Sequence, residues 1–246
     1  MPRKTERGSV AAAAMPFSRV CGIAALGFAA LIVLANVIAV PAGLPHSGAT
    51  PADVTAFFGT RGDIIGVSSA LTPAAWVLAT LFGAGAVAAV RRSESDRGEA
   101  WSLLGFAGLV MQNSAFAAII ALRLALTSTA PDDGATTAGL WALHDALFTL
   151  NGTFLAIALV GLSTGGRRSG LITTWHFALG LLSATLMFTS ATLTPLVTEH
   201  GGPFGLLGLT GWLLWVAWIT AYGIALIRRP GHRRPSTAVR AALGRV

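Results

Sequence analysis

Three ionisable side chains within apolar stretches of the sequence have the clearest potential for chemistry. Arg123 lies near the end of the third apolar stretch, and His144 and Asp145 lie near the start of the fourth. Ionisable residues inside a membrane span mark a functional site by default, and each needs a partner. Because a short connection makes these two helices neighbours, we expect an Arg123–Asp145 ion pair with His144 close by. In two alternatives, Arg123 extends to the outer headgroups and Asp145 caps the start of its helix.

Amide side chains continue this polar pattern towards the middle of the same two helices. Gln112 and Asn113 lie in the third stretch and Asn151 in the fourth. Gln112 and Arg123 are eleven residues apart, close to three helical turns, and therefore share a face. His144 and Asn151 share a face of the next helix. We expect a polar stripe that either links helices through hydrogen bonds or lines a cavity.

Hydroxyl groups extend the pattern to other helices. In the fifth stretch Thr185, Thr189 and Thr192 follow helical spacing, and Thr189 is included among the candidate ligand-binding residues. Further polar residues at a similar depth are Ser68, Ser69 and Thr72 in the second stretch and Asn36 in the first. Together they predict an outward-facing polar vestibule. In the structural alternative, each hydroxyl bonds the carbonyl one turn before it.

Other kinds of chemistry find little support in the sequence. His144 lies near the outer end of its helix and His176 near the inner end of its own, so a shared haem is not expected. The His and Cys residues lack zinc-ligand spacing. One G-x-S-x-G run occurs, at residues 161–165, but it lies at the end of an apolar helical stretch and not at the strand-to-helix turn that a nucleophile elbow needs. Cys21 is the only cysteine, and we interpret it as an apolar packing residue. We therefore predict no cofactor and no metal, and an enzyme is the least supported class.

The elements that must position these residues are membrane-spanning helices. The chain is 54% hydrophobic and 11% charged, whereas soluble domains carry about 25% charged residues. Six apolar segments reach the length of about 20 residues that a span requires. They are Arg19–Pro41, Ile64–Val90, Trp101–Thr127, Leu140–Ser163, Leu171–Leu196 and Phe204–Ile227. The predicted fold is an all-α polytopic six-helix transmembrane bundle.

Paired arginines indicate the orientation of this bundle. Arg91-Arg92, Arg167-Arg168 and Arg228-Arg229 follow alternate spans, and basic residues collect on the cytoplasmic side. With both termini cytoplasmic, fifteen basic residues and four acids lie inside, against two arginines and six acids at the outer side. We therefore place the protein in the cytoplasmic (inner) membrane, with the lipid bilayer as its surroundings. This topology explains the net charge of +7 better than a nucleic-acid partner does.

The segments outside the spans complete the organisation. Residues 1–18 are expected to form a disordered basic tail, 19–229 the transmembrane domain, and 230–246 a basic cytoplasmic tail. Met15 is an alternative start. The first apolar run is longer than that of a signal peptide, so an uncleaved span is expected. Pro51–Gly59 is predicted to form an interfacial helix with Ala52, Phe57 and Phe58 on the membrane, and Ser128–Gly139 a solvated turn.

Glycines and aromatic residues recur along the last span. Gly211, Trp215, Trp218 and Tyr222 share one stripe, with Gly205 and Gly208 before it. Belt aromatics lie at the membrane interfaces, whereas two of these tryptophans lie nearer the middle. We therefore expect the stripe to pack on another helix, with a groove for lipid or an apolar ligand as the alternative.

The second half of the chain also carries a resemblance. The run LWALHDALFTLNGTFLAIALVGLS, a basic turn, and GPFGLLGLTGWLLWVAWITAYGIALIRRP resemble an uncharacterised family of small multi-span membrane proteins of high-GC bacteria. The resemblance implies a fold and a location, and it assigns no site residue.

Two functional classes follow from these observations. In the first, the protein binds or transports a small molecule or a lipid headgroup through the vestibule. In the second, it is a structural or accessory subunit for a membrane protein partner, and its polar groups only join helices.

Overall fold

The computed structural model describes residues 15–200 and 203–229, with side chains for 15–197 and 205–229. Most of the predicted N-terminal tail and the whole predicted C-terminal tail lie outside these residues. The described chain is all-helical. Its helices are α1 Phe17–Ala39, α2 Pro51–Thr60, α3 Gly62–Ala70, α4 Thr72–Ser95, α5 Trp101–Thr129, α6 Gly134–Leu150, α7 Gly152–Arg168, α8 Thr174–Thr192, α9 Thr194–His200 and α10 Pro203–Arg228.

Five parts of the described chain are long and apolar enough to cross a membrane. They are α1, α3 with α4, α5, α6 with α7, and residues 205–228 of α10. The fifth predicted span, now α8, is not among them, because His176 and several hydroxyl residues lower its hydropathy. It nevertheless packs within the same bundle, between α7 and α10. The predicted polytopic helical bundle is thus confirmed.

The long helices form a closed ring of neighbours. In order around the bundle they are α1, α4, α5, α7, α8 and α10, and α10 returns to α1. The three arginine pairs lie at the ends of α4, α7 and α10, and we call this the basic end of the bundle. The opposite end, which carries α2, is the loop end.

Glycines bring two pairs of helices to very short separations. A methyl group added to Gly161 on α7 would lie 2.3 Å from the backbone nitrogen of Gly105 on α5. Likewise, one added to Gly22 on α1 would lie 2.5 Å from the carbonyl oxygen of Gly223 on α10. In lipid, close approach of this kind increases dispersion contacts between helices. Cys21 is fully buried at the neighbouring α1–α4 contact, in agreement with its predicted packing role.

Three predicted spans are interrupted at single residues, two in their loop-end half and one at its midpoint. The breaks fall at Leu71, Asn151 and Leu193. Pro73 follows the first break and Pro195 the third. Proline removes a helical hydrogen bond, and this explains these two breaks. At the second break the carbonyl of Asn151 accepts from the backbone N–H groups of both Phe154 and Leu155. We had expected continuous helices at all three places.

The fourth span begins earlier than predicted. Helix α6 starts at Gly134, so the expected turn up to Gly139 is mostly helical. Asp133 caps this start, because its carboxylate accepts from the Thr136 backbone N–H at 2.9 Å and from the Thr136 hydroxyl at 2.6 Å. These bonds lower the pKa of Asp133. The alternative in which Asp145 caps this helix is therefore wrong.

Helix α2 forms at the predicted place but contacts protein instead of the membrane surface. Phe57 and Phe58 are buried in a cluster with Ile65, Leu126 and Trp141. Only Ala52 of the three predicted membrane-facing residues is exposed. Residues 42–60, which we call the lid, thus cover the loop ends of α5 and α6.

The aromatic stripe on α10 packs inside the bundle, as predicted. Trp215, Trp218 and Tyr222 are all buried. Gly211 lies against Met187 and Leu186 of α8.

Candidate functional site

Arg123 and His144 meet directly between α5 and α6. The Nε–H group of Arg123 donates to Nε2 of His144 at 3.0 Å. Because Nε2 accepts this bond, the imidazole is neutral and carries its proton on Nδ1. Nδ1 is buried and has no hydrogen-bond partner in the part of the chain that the structure describes. The contact therefore leaves a polar donor available in an apolar interior.

Aromatic rings on α6 hold His144 in place. The imidazole is nearly parallel to Trp141, with ring centroids 4.8 Å apart, and to Phe148, at 6.1 Å. Cζ of Arg123 lies 5.9 Å from the centroid of Phe148, within the range of a cation–π contact. Helical spacing places Trp141, His144 and Phe148 on one face. This ladder orients the imidazole and supports the guanidinium.

Asp145 has a different partner from the one we predicted. Its Oδ2 accepts from the backbone N–H of Gly48 at 3.0 Å, which joins the lid to α6. Among the described residues, no carboxylate oxygen lies within 4.0 Å of Arg123. The expected Arg123–Asp145 ion pair is therefore wrong. Adjacent residues on a helix point about 100° apart, so His144 faces α5 while Asp145 faces the lid.

The amide side chains are buried to different degrees. Gln112 and Asn151 are both more than nine-tenths buried, and their Oε1 and Oδ1 atoms have no hydrogen-bond partner among the described residues. Asn113 is half-buried. Gly108 of α5 lies against Phe154 and Ala158 of α7. Because the two helices are antiparallel, one turn further along α5 Gln112 lies at about the level of Asn151. Two acceptors at one level thus lack donors.

Most hydroxyls of the predicted vestibule satisfy themselves locally. Thr185 and Thr192 donate to the carbonyls of Leu181 and Phe188 on exposed faces of α8. Thr189, also on α8, is half-buried and is not joined to Arg123 or His144. Asn36 donates to the carbonyl of Ile32. Ser69 is buried with an unpaired hydroxyl.

The predicted vestibule is closed in this structure. Ser68, Thr72, Asp145 and Asn151 are all buried. The lid covers the loop ends of α5 and α6. His144 is buried and Arg123 is half-buried, so access to His144 from that side would require the lid to move.

Sequence reasoning missed a second polar cluster, at the basic end. We had counted Glu94 as a loop acid, yet it lies in the last turn of α4 and is 2% exposed. Its Oε1 accepts from the backbone N–H of Ser102 at 2.8 Å, and its Oε2 accepts from the Ser102 hydroxyl. Gly165 of α7 makes room for this carboxylate. Only the length of α4 could have indicated its burial.

Arg123 is a cation with no carboxylate partner among the described residues. The Nη groups of Arg123 donate no hydrogen bond to any described residue. Moving arginine to the centre of a span costs about 2.5–3.5 kcal/mol on an insertion scale, and the cost is smaller near the end of a span, where Arg123 lies. An anionic group next to Arg123 would offset this cost. Groups of three or more potential metal ligands are absent from the described residues.

Comparison with known proteins yields no relative. No family model, no curated protein and no solved structure matches the chain.

Proposed function

We propose that the protein is an integral protein of the cytoplasmic membrane that binds or transports a small molecule or lipid headgroup carrying an anionic group. The arginine pairs support this location, because they lie at one end of the bundle, where the positive-inside rule places the cytoplasm. The loop end, with Arg123, then faces outwards. The observation that carries the proposal is the Arg123 guanidinium, which is hydrogen-bonded to a neutral imidazole and has no acidic partner among the residues that the structure describes.

Charge complementarity supports an anionic ligand. Arginine presents five N–H donors, and a planar fork of these donors fits a carboxylate or a phosphate. Here only Nε is used, for His144. The Nη groups therefore remain available for an oxyanion. The contact with His144 fixes the orientation of the guanidinium, so less side-chain entropy is lost when a ligand binds.

The lid and the interrupted helices support a route to this site. The described contacts between the lid and α6 include one hydrogen bond, from Gly48 to Asp145, and the apolar cluster around Phe58 and Trp141. Helices α4 and α8 begin or end at a break in the loop-end half of the bundle, and α7 begins at a break in the middle of its span. Broken helices near the ligand site are typical of secondary transporters.

Ligand-dependent stability tests the proposal. We expect the purified wild-type protein to unfold at a higher temperature with glycerol 3-phosphate, or with a short-chain phosphatidic acid, than in chloride of equal ionic strength. A ligand at one hundred times its Kd stabilises by about 2.7 kcal/mol. Arg123→Gln should abolish the increase. Arg61→Gln is the control, since Arg61 is exposed in the lid region at the same end.

Comparing the responses to the two ligands shows whether the anion is a lipid headgroup or a soluble molecule. An increase with phosphatidic acid alone indicates a lipid headgroup, and an increase with both indicates a soluble anion. An equal response of Arg123→Gln and wild type would refute the role of Arg123.

A structural role is the second candidate, and one observation favours it. Arg123 joins α5 to α6, and Asp145 joins α6 to the lid, so both serve assembly without any ligand. Cysteines introduced at Gln112 and Asn151, in a chain with Cys21→Ala, separate the two candidates. Reaction of both with an impermeant thiol reagent, with no reaction at buried Ile119, would favour a hydrated site over a purely structural one.

A further inference from the structure

A cavity at the basic end of the bundle lies far from the Arg123 site. It has a volume of about 660 Å³ and is formed by the α7–α8 loop, the first turn of α8 and the last turns of α10. Arg228 and Arg229 line it from α10, and Thr173 and Trp175 line it from α8. None of the residues lining it is acidic. Among the described residues, therefore, no carboxylate in the cavity wall compensates the positive charge of the two arginines.

The two arginines at this cavity differ in how their side chains are held. Arg229 is half-buried and donates to the carbonyl of Ala89 on α4, so its position is fixed. Arg228 is exposed and makes no hydrogen bond or ion pair with another described residue. One guanidinium thus shapes the cavity, and the other remains available for a ligand. Arginine forks suit phosphate oxygens in particular.

Apolar residues form much of the remaining wall, together with Ser169 and His176. Ala221, Ile224 and Ala225 continue from the arginines along α10 towards the middle of the membrane, and Leu171 and Ile172 face them from the loop. A soluble anion would leave this apolar surface uncovered. A ligand with a phosphate group joined to an acyl chain would fill both parts.

Trp175 indicates the depth of the cavity. Its side chain is 62% exposed at the start of α8, and exposed tryptophans prefer the headgroup level of a bilayer. The side chain of Thr173, the residue before α8, makes no capping hydrogen bond. The first backbone N–H groups of α8 are therefore not bonded by this side chain, and they lie at the same end of the bundle as the arginines. Helix starts add a favourable field for an anion.

We propose that this cavity binds an anionic phospholipid of the cytoplasmic leaflet. Arg228 and Arg229 hold the headgroup phosphate, and the acyl chain lies along Ile224. The leaflet follows from the basic end, where the arginine pairs collect. This proposal is independent of the Arg123 site, because it concerns the other end of the bundle and other helices.

Native mass spectrometry of the full-length protein in detergent tests the proposal. We expect phosphatidylglycerol to bind more tightly than phosphatidylcholine of the same acyl chains. Arg228→Gln should weaken phosphatidylglycerol binding about fivefold, as expected for one basic residue near an anionic headgroup. Arg228→Lys should retain most of the binding because it retains the charge.

A matched control removes one charge elsewhere at the same end. Arg91 is exposed on α4 and does not line the cavity, so Arg91→Gln should bind phosphatidylglycerol like the wild type. Arg228 makes no hydrogen bond or ion pair with another described residue, so the unfolding temperature of Arg228→Gln without lipid should equal that of the wild type.

Three results would overturn the proposal. The first is equal binding of the two lipids by the wild type. The second is an equal effect of Arg228→Gln and Arg91→Gln. The third is displacement of phosphatidylglycerol by glycerol 3-phosphate at equal concentration, since this would show that the cavity binds a free phosphate and gains nothing from the acyl chain.

Discussion

Glu94 at the end of α4 caps the first turn of α5 through Ser102. One carboxylate oxygen accepts from the Ser102 backbone N–H at 2.8 Å and the other from its hydroxyl. The residue before α5 is Ala100, whose side chain cannot cap. The Glu94 carboxylate of the preceding helix therefore takes the capping role that an Asp or Ser side chain usually has at this position. Its negative charge also complements the positive start of α5.

Ser102→Ala should destabilise the protein. Hydrogen bonds to charged groups contribute about 1.5–3 kcal/mol, and the substitution leaves the buried Glu94 carboxylate with one donor fewer. Thermal unfolding in detergent measures the loss. Ser95→Ala is the control, because Ser95 is exposed in the same turn as Glu94 and should have no effect. Equal unfolding temperatures for both variants would contradict the capping role.

Arg123 should be coupled to His144 and not to Asp145. Arg123→Leu and His144→Phe each remove one partner of the 3.0 Å hydrogen bond. The two single variants together should therefore lose more unfolding free energy than the double variant loses. For Arg123→Leu with Asp145→Leu, simple additivity is expected, since Asp145 bonds Gly48 instead. Two double-mutant cycles of unfolding free energy decide this. Coupling in the Asp145 cycle alone would mean that the ion pair exists.

Gly161→Ala should separate α5 from α7. The new methyl group would lie 2.3 Å from the backbone of Gly105, and backbone atoms yield only if the helices move apart. Overpacking of this kind costs about 1–3 kcal/mol, measured as a lower unfolding temperature. Gly139→Ala on α6 has open space around it and should be neutral or stabilising, because alanine favours helix. Equal losses would exclude close packing as the cause.

The orientation can be tested with single cysteines in a chain with Cys21→Ala. Asp132 and Asp96 are both exposed, at the loop end and the basic end respectively. On intact cells an impermeant thiol reagent should label a cysteine at Asp132 and leave one at Asp96 unlabelled. The opposite pattern would reverse the topology and place the phospholipid cavity in the outer leaflet.

Much of the fold could be predicted because its signals are local. The length of an apolar stretch is set by the thickness of the bilayer, and backbone groups in lipid must bond within a helix. The start of α5 at Trp101 was therefore predicted correctly, and the apolar residues after Pro51 predicted α2. None of the three breaks was predicted, because proline is tolerated in membrane helices and no proline marks the break at Asn151.

The candidate site shows where sequence reasoning ends. Sequence alone indicated that Arg123, His144 and Asp145 are unusual, since charges in apolar stretches are costly whatever their surroundings. The choice of partners depended on the tertiary structure. Asp145 bonds Gly48, which is 97 residues away in the sequence, and Glu94 is buried only because α5 and α7 close around it. Spacing along one helix determines which face a residue occupies, but only the packing of the whole bundle decides what that face meets.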